Sequence, residues 1–242
     1  MSPSRSPSPA QVRARAARLR RRPTLGLEAI VDVALEIVDA EGVEAVSMRR
    51  VAAAFDSGPA SLYAYVANKD ALLGHVLRRV IDEMELPSGG TWQERLRSWA
   101  YESRAVMARH GDVARLTFGT VPVTERVLDG IETNLTAMIE AGVPPQVATW
   151  ALDILSLYVG ADVFEGWLMS QRFDDGSGRD AEEIGSEYFE AVQREFAALP
   201  PERYPYLVRH LPLMMNGDSD ARFAFGIDML IAGFAAQIPA PS

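Results

Sequence analysis

The stretch from Val46 to Leu73, VSMRRVAAAFDSGPASLYAYVANKDALL, constrains the fold more than any other part of the chain. Ser47 is suited to cap a helix, because its side-chain oxygen can accept from the unpaired backbone donors of the next turn. Met48, Val51, Ala52 and Phe55 follow at helical spacing on one face. Asp56, Ser57 and Gly58 interrupt that helix, and Pro59 fits the first position of the next, where its missing N–H is not needed. On this second helix Leu62 and Val66 share one face, while Ala60, Ser61, Ala64 and Tyr65 are small or polar-tipped and can face outward. Asn68 then caps a third helix beginning at Lys69 and Asp70, with Leu72, Leu73 and Val76 pointing inward.

Upstream, Leu27, Ile30, Val31, Ala34, Leu35 and Val38 form a helical stripe that stops at Gly42, so these short helices can share one small core with it. Two helices joined by a tight turn, the second with a small and polar outer face, suit insertion into a DNA major groove. The order of these elements, the SMRRVA start and the SLYAYVANKDALL run resemble the TetR family of bacterial transcriptional regulators over about residues 27–76. Two positions depart from the family pattern. Asp56 stands where Gly is common in the turn, although Asp tolerates the left-handed conformation better than most residues. Ser57 stands where an apolar turn residue is frequent.

The candidate DNA contacts are Ser47, Arg49, Arg50, Pro59, Ala60, Ser61, Tyr63, Tyr65 and Lys69. Arg49 has the best claim to a base, since arginine's fork matches guanine O6 and N7 and the resemblance puts DNA at this position; a phosphate or solvent role is the alternative. Tyr63, Tyr65 and Lys69 match family positions that hold the DNA backbone, and Tyr63 could instead pack partly into the core. Ala60 and Ser61 are the small residues available to thymine methyls or base edges.

The net charge of −9 argues against nucleic acid if taken alone, but its distribution matters more. Residues 1–25 hold seven arginines and no acid, residues 26–70 hold eight acids against three bases, and residues 71–242 hold twenty-five acids against fourteen bases. DNA affinity must come from local placement, and the tail is the other candidate source. Residues 1–22 are Ser/Pro-rich and then Arg-rich, which predicts a disordered basic tail; it is read either as a solubilising extension or as an arm adding phosphate or minor-groove contacts.

From Trp92 onward the signals are all helical. Helices are expected at Trp92 to about Arg109, Val113 to Phe118, Thr124 to Ala141, Gln146 to about Gln171, Ala181 to Leu199 and Asp220 to about Gln237, with proline-interrupted residues 200–217 irregular. On the longest, Val147, Trp150, Ala151, Ile154, Leu155, Tyr158 and Val159 make a wide apolar face, and Leu152, Leu157 and Val163 nearly close the circle, so burial on most sides is expected. On the last, Phe223, Ile227, Leu230, Ile231 and Phe234 form a stripe, and Gly226 and Gly233 would let another helix come close. The long and last helices carry more apolar surface than one subunit easily hides, which predicts a homodimer.

LTFGTVP at 116–122 and ARFAFGIDMLIAGF at 221–234 are similar to the C-terminal domain of tetracycline repressors, which extends the resemblance over most of residues 27–237. It implies that the long and final helices of two subunits form a four-helix interface and that a small-molecule effector binds inside each helical core. Carried over residue by residue, it changes the expected ligand chemistry. Thr117 replaces a metal-binding histidine, Trp99 and Ser103 occupy drug-contact positions, Asn134 stands for a glutamine and Glu85 for a second histidine, while Glu165 matches an acid that reaches, through water, metal bound in the partner subunit. The expected ligand site is Trp99, Ser103, Thr117, Phe118, Asn134, Tyr158, Asp162 and Glu165, with no metal and no cofactor. Trp99, Met107, Phe118, Trp150, Tyr158, Phe164 and Trp167 can each be read as cavity lining or as core.

His75, His110 and His210 have no metal-ligand spacing and read as surface or helix-end histidines. Asp162 and Glu165 could be an acid/base pair or a polar patch, and no nucleophile, phosphate-loop or dinucleotide motif accompanies them. There are no cysteines, no run of 18 uncharged apolar residues and no secretory signal, so no membrane partner and a cytoplasmic location are expected. The expected fold class is all-α: a basic tail at 1–22, a helix-turn-helix domain at 23–75 and a ligand-binding and dimerisation domain at 76–242. The expected function is a ligand-responsive regulator, a homodimeric repressor released from a palindromic double-stranded DNA operator by a small molecule, and not an enzyme. The alternatives are an all-helical binding protein or enzyme with a vestigial head, and an architectural DNA-binding protein with a pocket-free core.

Overall fold

Five elements build the head, the shortest a 3-10 turn at Val43–Ala45. Helix α1, Leu27–Glu41, turns one face inward through Ile30, Ala34 and Val38 and ends at Gly42, whose φ of 84° few other residues would tolerate. Helix α2, Met48–Ala53, is capped by Ser47, whose Oγ accepts from the Arg50 N–H at 3.2 Å. Helix α3, Lys69–Ile81, is capped by Asn68, whose side chain accepts from the Ala71 N–H at 2.8 Å. Between α2 and α3 lies Pro59–Ala64, a 3-10 helix and not the expected α-helix. Gly58 and Pro59 start it, the Tyr65 N–H closes it on the Leu62 carbonyl, and buried Leu62 and Val66 pin it to the core as expected. Six residues held at both ends complete three-residue turns more readily than four-residue ones.

The computed structural model describes residues 24–86, 89–119, 123–174, 176 and 178–240. The expected tail at 1–22 lies outside the described residues, as do residues 120–122 of the GTVP motif. All described elements are helical. The body contains α4 (Trp92–Met107), a 3-10 turn (Val113–Thr117), α5 (Glu125–Glu140), α6 (Pro145–Phe173), α7 (Ala181–Ala197), α8 (Pro205–Met214) and α9 (Ser219–Ala235). Thr91 and Glu94 form a reciprocal capping box on α4, and Thr124 and Asp218 cap α5 and α9. Helix α6 is central, packing on α4, α5, α7, α9 and the Val113–Thr117 turn.

Two expectations for the body are corrected. Residues 205–214 are helical: Pro205 occupies the first turn, where proline is tolerated, and Pro212 falls in the last turn, where it removes one N–H from the ladder without ending the helix before Met214. Helix α6 is not buried on most sides within one chain, since Trp150 is 62% exposed and Ile154 and Leu157 are also exposed. The same helix is long and apolar enough, by length and composition, to cross a membrane, but it also packs through Ala148, Ala151, Leu155, Val159 and Val163 into the bundle core. Of the two glycines on α9, Gly226 admits the ring of Tyr158, where a Cβ would collide with the phenol, while nothing lies within 4 Å of Gly233.

Candidate nucleic-acid interface and ligand cavity

Asp56 takes a φ of 51°, the left-handed turn that the sequence asked of it. Ser57 closes the same turn by donating both its N–H and its hydroxyl to the Ala52 carbonyl, at 3.2 and 3.3 Å. A polar residue thus does by hydrogen bonding what an apolar one would do by packing.

The candidate DNA residues fall into two groups. Arg49 and Ala60 are exposed, Tyr63 is 55% exposed, and Pro59 and Ser61 are half-buried, with the Ser61 hydroxyl 2.8 Å from the Gly58 carbonyl. The others are engaged within the chain. Both terminal nitrogens of Arg50 meet the Glu41 carboxylate, Nη1 at 2.7 Å, and that hydrogen bond raises the arginine pKa and lowers the glutamate's. Lys69 faces Glu44 at 3.9 Å, and Arg115 binds the same Glu44 at 2.9 Å. The Tyr65 hydroxyl reaches the Leu25 carbonyl at 3.4 Å. Two of the acids that make this region negative, Glu41 and Glu44, therefore sit against two of its cations.

The turn after α4 locks the head to the body. Gly111 (φ 52°) lies so close to the Val38 carbonyl that a Cβ would stand 2.5 Å from its oxygen. Beside it His110, which is buried and not a surface histidine, lies between Asp39 of α1 at 2.9 Å and Glu83 at 3.2 Å. Burial opposes protonation of this imidazole, but the two carboxylates outweigh it and raise its pKa.

A cavity of about 370 Å³ opens among α3, α4, α5 and α6. Its wall is mostly apolar, including Ile81, Met84, Leu96, Trp99, Met107, Leu135 and Leu152. Of the expected ligand residues, Trp99, Ser103, Thr117 and Asn134 line it. Ser103 is fully buried with its hydroxyl 3.5 Å from the Met84 sulfur, Thr117 donates to the Ala114 carbonyl at 2.7 Å, and Asn134 donates to the Gly130 carbonyl at 2.8 Å.

Phe118, Tyr158, Asp162 and Glu165 do not line the cavity. The reason is helical phase: α6 turns Thr149, Leu152, Asp153, Ser156 and Leu157 to the cavity, and Tyr158, Asp162 and Glu165 lie on a different face, toward α9. There Asp162 accepts from Arg104 Nε at 2.7 Å, Arg104 also holds Asp220 at 2.6 Å, Glu165 pairs with Arg222, and Tyr158 stacks on Phe223 at 5.7 Å. Phe118 is exposed beside Phe164. Glu85 is on the surface, its N–H held by Glu102 at 3.1 Å. Arg126, Thr149, Asp153 and Ser156 were not anticipated; the α6 positions are legible only once that helix's phase is known.

Two family models match the chain. Residues 30–76 match bacterial regulatory proteins of the tetR family, and residues 86–238 match the tetracyclin repressor-like C-terminal domain. The HTH-type transcriptional repressor DrrR1 of Streptomyces coeruleorubidus is 31% identical over 221 residues, covering 90% of this chain and 80% of that protein. The class D tetracycline repressor protein of Escherichia coli is 28% identical, covering 89% and 92%. The crystal structure of the Streptomyces coelicolor TetR family protein ActR in complex with actinorhodin superposes with a TM-score of 0.77 at 32% identity, covering 90% of this chain and 99% of that one.

Proposed function

The chain belongs to the TetR family of bacterial regulators and is a ligand-responsive DNA-binding repressor; we propose that it works in the cytoplasm as a homodimer on a two-half-site operator, released when a small molecule fills the α3–α6 cavity. The observation that carries this reading is the double membership of α3. Its first turns close the head core through Leu72 and Val76, and Ile81 at its end, with Met84 just beyond, forms cavity wall. A ligand that displaces that wall moves the element on which the head is mounted.

The chain divides, in this reading, into a tail at 1–22, a head at 23–75 and a body at 76–242, with α3 running across the last boundary. Trp150, Ile154, Leu157 and Leu168 on α6 and Phe225 and Met229 on α9 are exposed at helical spacing, with Gly233 open beside them. Apolar stripes of this kind support pairing with a second copy. Major-groove faces on one side of a duplex recur about every 34–36 Å, so heads pulled off that spacing lose one half-site. A coupling of about 1–3 kcal/mol between ligand and DNA changes affinity some 5- to 150-fold.

The mostly apolar wall suits a largely apolar or aromatic effector with few polar anchors, Asn134 and Thr117 among them. Thr117 in place of a metal-binding histidine predicts that magnesium-tetracycline does not release this protein. The experiment is protection of the DNA flanking its own coding region, followed by release titrations. A protected dimer-sized palindrome and no effect of tetracycline, with or without magnesium, are expected. Absence of any protected palindrome would overturn the repressor reading, and magnesium-dependent release by tetracycline would overturn the ligand reading.

A further inference from the structure

The cavity wall includes a cation, one of whose donors is buried without an acceptor. Arg126 stands in the first turn of α5 and lines the cavity, and its Nη2 donates to the backbone carbonyl of Met84, just beyond the end of α3. Its Nε is buried and has no hydrogen-bond acceptor, alone in this among the buried side-chain nitrogens and oxygens of the described residues. Asp153 is the one carboxylate on the wall, and among the described residues Arg126 forms no ion pair. A guanidinium donor that has lost its water and gained nothing is costly to keep. The apolar side chains around it, Ile81 and Leu135 among them, hold the local dielectric low, which strengthens its attraction for an anion.

We propose that the effector carries an acidic oxygen group, a carboxylate or an ionised phenol, on its apolar frame, and that the guanidinium of Arg126 receives it. This rests on the cavity being the effector site. A planar donor edge suits a carboxylate or phenolate oxygen, and the resulting charge-assisted bond would be shielded from water. The same guanidinium ties the Met84 carbonyl to α5, so the ligand's charge arrives at the group that secures the end of the head-bearing helix. Charge recognition and release from DNA then meet in one side chain.

The test uses the full chain and two fluorescent probes with the same aromatic frame, 8-anilinonaphthalene-1-sulfonate and the neutral N-phenyl-1-naphthylamine. Arg126→Gln is expected to weaken the sulfonate probe about tenfold while leaving the neutral probe within about twofold, and Leu152→Trp, which fills the cavity, is expected to weaken both. In the unmodified protein the sulfonate probe is expected to bind at least as tightly as the neutral one, a comparison that needs no variant to fold. Equal loss of both probes in Arg126→Gln, an unchanged sulfonate affinity, or a clear preference of the unmodified protein for the neutral probe overturns the inference alone. Failure of both probes to bind, or their indifference to Leu152→Trp, overturns the cavity reading and the inference with it.

Discussion

The carboxylate of Asp112 accepts a 2.6 Å hydrogen bond from the backbone N–H of Val43, joining residues 69 positions apart across the junction of head and body. Asp112 is 1% exposed, and its other oxygen meets Arg115 Nη1 at 3.3 Å. Asp112→Ala leaves the Val43 N–H buried without an acceptor and is expected to cost about 1–3 kcal/mol of stability. Asp112→Asn keeps an acceptor and should cost less. Denaturant unfolding measures both; equal stability of wild type and Asp112→Ala would show that the bond contributes nothing.

His110 makes the same junction sensitive to pH. Its folded pKa is raised, because Asp39 and Glu83 outweigh burial, so protonation and folding support each other. The stability it adds is full below the unfolded value of about 6.5 and fades as pH rises through the higher folded value. Replacing it by Gln is expected to lower the melting temperature more at pH 5.5 than at pH 8.5. A loss that is the same at both pH values would reject an ionised imidazole.

At the head, Arg49→Ala should weaken operator binding by about 1–3 kcal/mol and relax preference at one base position per half-site. Lys69→Ala should weaken all sequences alike and shallow the salt dependence. Glu41→Gln acts in the opposite direction, since it frees Arg50 from its ion pair and removes a negative charge near the DNA face. Each additional phosphate contact steepens the log–log salt slope by about 0.9, so one per head steepens that of a dimer by about 1.8. Salt titrations of operator affinity separate the three; a slope unchanged in Glu41→Gln would leave Arg50 without a role on DNA.

Deleting residues 1–22 is expected to lower DNA affinity and flatten its salt dependence, because up to seven cationic side chains are removed. Thermal unfolding of the remainder should be unchanged. Equal affinity and slope with and without the tail would reduce it to a solubilising extension.

The sequence by itself determined the head. Caps, turn residues and buried stripes are local chemistry: Ser47 and Asn68 bond to donors three residues away, and Asp56 bends within its own turn. The TetR-type order of elements was legible for the same reason, and so were most helix bounds of the body. What only the tertiary structure decided depends on rotation about helix axes and on partners far along the chain. Hydrophobic periodicity on α6 does not reveal which of its faces meets the cavity: the sequence puts Tyr158 and Asp162 at the ligand, and packing turns them to Phe223 and Arg104. The Arg126 donor has the same origin. It is orphaned by the apolar side chains of other helices, and no short window of sequence contains both the donor and the absence of its acceptor.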